Sequence, residues 1–385
     1  MINMGIFKQL ENDLQKLEEE AWHDGYWYTV TEALLVLVCG MLCDLTNIDK
    51  IHDWAKSEPT RKFLKKEFDM DKLFSRAQFY NLLACVKAEE FKHVFMNWMS
   101  YVLDKNMKGK TVSIDGKTIR STDSLTEDGS VLHIASALVS EFNLVIGHQE
   151  CSTKTDEINA FRELVGMLDI SGSVVVADAL HCKPKSAEAV IEAGADYLFV
   201  VKDNQEELKE DIELYIQEEE VESHQTIEKN GGRIEIRTGF VSHDIDWLYQ
   251  KDKWVNLKCI GAIHREFEKD GVKSSEWHYY ISSRSLSAEE LLERARLEWA
   301  IESMHWLLDV HFDEDRTRVF DMNVQKILNT TRKIALNLAR LYRDENKPKR
   351  TPLTTVFNEN LFDTTQLSNF LDFFRNFELS SENVL

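Results

Sequence analysis

The chain of 385 residues has no long hydrophobic run, no paired cysteines and no excess of positive charge. Each absence removes a class of function. The longest apolar stretch, Ala33–Cys43, falls well short of the roughly 20 residues of a membrane helix. The amino terminus is acidic rather than signal-like, so a cytoplasmic protein without a membrane partner is expected. Cys39, Cys43, Cys85, Cys151, Cys182 and Cys259 are scattered, with no CxxC pair and no His-x3-His partner, which indicates neither a disulfide frame nor structural zinc. Two Gly-Lys-Thr triplets, Gly109–Thr111 and Gly116–Thr118, lack the glycine that a phosphate loop needs five positions earlier; Asp104 and Thr111 stand there. There is no GxSxG elbow. His181 and Cys182 are neighbours in sequence, a poor arrangement for a nucleophile and its base.

The net charge of −21 argues against a surface that neutralises phosphates everywhere. The charge is uneven, however. Acid gathers in runs such as Gln217–Glu222, whereas Arg316–Arg350 carries Arg316, Arg332, Lys333 and seven further basic residues, a strip suited to facing DNA. With 43% hydrophobic residues the chain can bury a large core in two or three domains.

Residues 1–107 read as a helical domain, with spacing that predicts helices over Ile6–Glu20, Thr31–Leu45, Asn47–Lys56, Pro59–Phe68 and Lys87–Tyr101. Ser75–Val86 has two readings: the second helix of a DNA-reading helix-turn-helix, or a core helix built on Phe79, Leu82, Leu83 and Val86. From Lys110 the period shortens. Strands are expected at Thr111–Asp115, Leu132–Val139 and Leu144–Cys151, then at Ser173–Ala179 and Asp196–Val201 with helices between and after them. That order predicts an α/β domain over 108–345 with a mixed five-stranded sheet, as in an RNase H-like fold. A strand-rich insertion over about 223–283 is expected to pack beside the main sheet. Ser287 with Glu290 is a capping box opening a late helix. A tail, 346–385, is expected to dock through Phe370, Phe373 and Phe374.

The chemistry-bearing residues fall at element ends. The apolar runs of two strands stop at Asp115 and Asp178, and Glu302 lies on the late helix, sharing one face with Glu298, His305 and Asp309. Two carboxylates about 4 Å apart repel by about 4 kcal/mol at an effective dielectric near 20. Three together call for a cation, a raised pKa or a basic partner. Two Mg²⁺ or Mn²⁺ ions would relieve the repulsion and suit hard oxygen ligands. Lys202, directly after the fifth strand, is a candidate phosphate contact or an ordinary surface lysine; Arg233 and Arg237 are candidates for DNA backbone or for cross-strand ion pairs. Glu157 reads as a first-turn acid.

Five segments, SIDGKTIRS around Asp115, VVADALHC around Asp178, DYLFVVKDNQ around Lys202, GGRIEIRT around Arg233 and EWAIESMHWLLDVHFDED around Glu302, resemble the H-repeat-associated proteins, a branch of the DDE insertion-sequence transposases. The resemblance implies metal-dependent cleavage and strand transfer at the ends of a mobile element, with Asp115, Asp178 and Glu302 as metal-binding acids. It also implies double-stranded DNA as partner and a homodimer on paired ends. Where better-known relatives place basic residues four before and seven after the glutamate, this chain has Glu298 and Asp309, so the basic clamp must come from elsewhere, with Lys202 and Arg316 as candidates. A metal-dependent nuclease without strand transfer and an inactive DNA-binding descendant are the alternatives.

Overall fold

Helix boundaries follow local signals. In the computed structural model, which describes residues 5–21, 28–103, 107–122, 131–151, 156–230, 233–269 and 272–377, α1 (Ile6–Ala21) precedes α2 (Val30–Met41), whose start is fixed by a capping box between Thr29 and Glu32. Apolar nearly all round, α2 has every residue but Glu32 buried, so neighbours must surround it. These include α3 (Ile48–Ala55), α5 (Arg76–Cys85) and the later α11 (Met322–Asn346), while α4 (Glu58–Phe68) and α6 (Ala88–Val102) complete the block. Of the two readings of α5, the core one holds: Phe79, Leu82 and Leu83 are buried, and outward-facing Arg76 pairs with Asp49 and Asp53.

The α/β part begins with β1 (Thr111–Ile119), β2 (Leu132–Val139) and β3 (Leu144–Cys151), an antiparallel meander. Then α7 (Glu157–Met167) leads to β4 (Val174–Ala177), parallel to β1, and α8 (Pro184–Glu192) leads to β5 (Asp196–Val201), parallel to β4. After α9 (Glu206–Glu218) come β6 (Glu222–Asn230), β7 (Arg233–Ser242), β8 (Cys259–Lys269) and β9 (Val272–Ser282).

The insertion corrects the sequence expectation. It does not pack beside a five-stranded sheet but continues it: β9 pairs antiparallel with β5, giving one nine-stranded mixed sheet of order β3-β2-β1-β4-β5-β9-β8-β7-β6. A sheet edge left open at β5 would expose unpaired backbone groups, and β9 takes them up.

One long helix, α10 (Ala288–Phe312), lies across β1 and the inserted strands. Its first turn is capped by Ser287, which accepts from Glu290 N–H; the Glu290 side chain bonds Arg284 and Arg294 instead of returning to the cap. A Cβ on Gly239 would stand 2.8 Å from the Ala288 carbonyl oxygen, so this glycine is what lets α10 approach β7. Next, α11 (Met322–Asn346) runs through the interior, and α12 (Leu353–Phe362) and α13 (Thr364–Asn376) dock the tail: Phe370 and Phe374 are fully buried, and Arg375 bonds Glu11 and Glu67. One hydrophobic cluster runs from α1 through the sheet to α13, so the helical block shares its core with the rest. No described helix is long and apolar enough to cross a membrane.

Candidate active site

Strand alternation decides which side chains meet. Along β4, Val174 and Val176 face the cluster built on Leu291, Leu292 and Ala295 of α10; along β5, Leu198 and Val200 do the same. Continuing by twos, Asp178 and Lys202 fall on that face just beyond the strand ends. In β1 the α10-facing residues are Ser113, Asp115 and Lys117. Ser113 Oγ donates to the Leu297 carbonyl at 3.4 Å, Asp115 Oδ2 stands 3.5 Å from His305 Nδ1, and Lys117 donates to Asp309 and, at 2.8 Å, to Glu314. The β1–β4 register pairs Ile114 with Ala177, making Asp115 and Asp178 the next residues along two adjacent strands.

A cavity of about 330 Å³ opens between the sheet and α10, and Asp115, Asp178, Glu298 and Glu302 all line it, with Lys202, Arg237, Arg265 and Arg296. The three acids singled out from the sequence are thus brought to one cavity, together with Glu298.

β1 does not stop at Asp115, as its Asp-Gly pair suggests, but continues to Ile119 opposite Leu132. Gly116 serves a different purpose from turning the chain. A Cβ there would lie 2.3 Å from the Glu157 carboxylate, which packs on the opposite face of β1. Glu157 in turn faces the buried His181, with 3.5 Å between Oε1 and Nε2, and Phe161 stacks on that ring. Read from sequence as a plain first-turn acid, Glu157 therefore belongs to the surroundings of Asp115, and the glycine opposite it was the available signal.

Burial and like charges set the electrostatics. Burial, with the charges of Asp178 and Glu157, lifts the Asp115 carboxyl to about 6 against the backbone hydrogen bond at Gly116. Burial first, then Asp178 and Asp115, lifts Glu298 to about 7, with Lys202 opposing. Burial holds His305 down to about 4, so its ring is neutral. Asp178 accepts from Leu180 N–H at 3.0 Å, and Asn204 Nδ2 donates to the Ala179 carbonyl at 2.6 Å, joining the loops after β4 and β5.

The family description "Transposase DDE domain" matches residues 106–338, and "DDE_Tnp_1-associated" matches residues 12–99. The "H repeat-associated putative transposase YhhI" of Escherichia coli K12 is 30% identical over 323 residues, covering 81% of this chain and 85% of its own. The chain belongs to the H-repeat-associated branch of the DDE transposases. The "Putative transposase YncI" of Escherichia coli O157:H7 is 29% identical over 350 residues, 86% of this transposase and 88% of its own length. Among solved structures, the piggyBac transposase synaptic complex with hairpin DNA resembles it at a TM-score of 0.47 and 10% identity, over 98% of this chain and 83% of that one.

The basic strip expected from the sequence needs correction. Arg332 and Lys333 lie inside the transposase, 0% and 1% exposed on α11, and cannot meet a DNA backbone. Lys333 donates to Asn329, Asn329 donates to Glu314 at 2.7 Å, and the Arg332 guanidinium sits in the field of Glu314 and Asp313. Glu314 reaches both only through its field, and the guanidinium nitrogens of Arg332 make no hydrogen bond among the described residues. Arg316 is exposed after α10 and does not line the cavity. Arg237 does line it, bonded to Glu235 and 5.8 Å from the Trp299 ring. The Arg233 side chain lies outside the described residues. Sequence reasoning missed Arg265 and Arg296. Arg265 reaches Trp299 at 5.0 Å while bonding Glu235 and Glu276 at 2.6 Å; its cross-strand position, invisible in a single segment, hides it.

The donor set suits a hard divalent cation in kind, since it is all carboxylate oxygen and two of its members hold protons more tightly than usual because they are buried beside like charges. Among the described residues no three of these groups already stand close enough together to hold a metal ion.

Proposed function

We propose that this transposase cleaves and joins DNA at the ends of its mobile element, with Asp115, Asp178 and Glu302 as the metal-binding acids and Lys202 and Arg237 as contacts for the phosphate backbone. The observation that carries the reading is the convergence of those acids, from two strand ends and one helix, on a single cavity rimmed by cationic side chains. The strand order β3-β2-β1-β4-β5, with the last three parallel, supports reading this part of the sheet as RNase H-like.

In this reading the cations are Mg²⁺ or Mn²⁺, two per site, and the chemistry they supply when bound is activation of water or a 3′ hydroxyl together with stabilisation of the leaving oxygen. The chain's own residues do the positioning. Leu180 N–H engages one carboxylate oxygen of Asp178, a residue that lines the cavity. Lys202 and Arg237 place positive charge beside the acids, where a phosphodiester would otherwise be repelled. Arg237 and Arg265 pack on Trp299 of α10, which joins the inserted strands to the helix beside the cavity. The helical block of residues 1–107 reads the element ends, and two copies act on paired ends.

The test is Mg²⁺- or Mn²⁺-dependent cleavage of DNA carrying the native flanks, wild type against Glu302→Gln. Loss of cleavage with retained DNA binding is expected. Cleavage at wild-type rate in the variant removes Glu302 from the site.

A further inference from the structure

We propose that His305 is a positioning residue for Asp115, a role that rests on the reading of Asp115 as a metal-binding acid. The argument starts from how α10 meets β1. Three alternate residues of the strand touch the helix. The outer two contacts are hydrogen bonds: Ser113 Oγ to the Leu297 carbonyl, and Lys117 Nζ to Asp309 and Glu314. They pin the helix at both ends of the stretch. Between them the His305 ring faces Asp115, with Nδ1 3.5 Å from Oδ2.

The rest of the ring has nothing else to do. His305 Nε2 is enclosed and makes no hydrogen bond among the described residues, so the contact to Asp115 is the polar contact that orients the imidazole. At 3.5 Å the pair stands just outside hydrogen-bond geometry, so with the proton on Nδ1 a small turn of the ring brings it to donate to Oδ2 and engage one of the two carboxylate oxygens. Gly116 N–H holds the same carboxyl from the backbone side. Donors on the strand and on the helix restrict rotation about the Cβ–Cγ bond of a carboxyl that lines the cavity. Partners of this kind commonly change metal affinity by about 10–100-fold when removed. His305 also sits one helical turn from Glu302 on α10, so the same helix that carries one acid orients another.

The test measures Mn²⁺ binding to the full-length protein without DNA, by the loss of the free-ion spin-resonance signal, for wild type, Asp115→Asn, His305→Ala, His305→Asn and His305→Gln. An asparagine amide nitrogen can stand where Nδ1 stands, whereas the glutamine amide reaches the Nε2 position. Expected is about 10–100-fold weaker binding for alanine and glutamine, with asparagine restoring most of it. Unchanged affinity in His305→Ala, or equal losses in His305→Asn and His305→Gln, overturns the inference; the second comparison stands even if the alanine variant does not fold. Wild-type Mn²⁺ binding by Asp115→Asn would instead overturn the metal-binding reading of Asp115 itself.

Discussion

Replacing Asp115 by asparagine should make the metal-free protein more stable while abolishing cleavage. The Asp115 carboxyl is raised from 3.8 to about 6, so the native state favours its neutral form. A difference of that size corresponds to a ceiling of about 3 kcal/mol. With 34% of the side chain exposed, solvent screening reduces this to about 1–2 kcal/mol, or roughly 1–3 °C in melting temperature for a chain of this length. The sign follows from proton linkage. Between about pH 4 and 6 the native carboxyl keeps a proton that the unfolded chain has released, so wild-type stability from this group falls as pH rises and the full cost is present above about 6. Asparagine carries no such cost. Its advantage should therefore be complete near pH 8, shrink as pH falls through about 6 and vanish near pH 4. Differential scanning calorimetry in chelator, at several pH values, reads the effect directly. Adding Mg²⁺ should then raise the melting temperature of wild type more than that of the variant. A variant no more stable than wild type near pH 8, or equally advantaged near pH 4, would refute the account of charge crowding.

Two further outcomes follow from buried charge. Lys117→Met should cost about 3–5 kcal/mol by leaving the buried Glu314 short of its cation; a change in urea midpoint worth under about 1 kcal/mol would mean that Lys333 and Asn329 suffice for it. Arg332→Ala with Lys333→Ala should destabilise the protein and leave the salt slope of DNA binding unchanged, whereas Arg237→Ala should reduce that slope by about one; the reverse pattern would return the α11 cations to the DNA-facing surface.

The strands and their terminal acids were legible because a buried strand needs an uninterrupted apolar run, and Val174–Ala177 or Asp196–Val201 can be little else. Asp115 and Asp178 stood out where such runs end. What escaped depended on partners distant in sequence. Asp115-Gly116 carries the local signature of a turn, yet pairing with β2 keeps the strand going and the glycine answers to Glu157. The charges of α11 read as a basic strip facing DNA, but the helix is surrounded on most sides, and the buried Glu314, in the turn after α10, sets a negative charge in the field of Lys333 and Arg332. That β9 would close onto β5 could not be told from β-rich patterning, since the same alternation serves a separate layer or a continuous sheet.

That continuity has a mechanical consequence. The inserted strands reach from the distant edge at β6 to β5, whose end carries Lys202, through an unbroken ladder of hydrogen bonds. Twist imposed on one strand of a sheet is shared by its neighbours. A twist of the outer hairpin is therefore passed along the sheet to β5 and Lys202, and α10, laid over both β1 and β7, spans the same strands from one face.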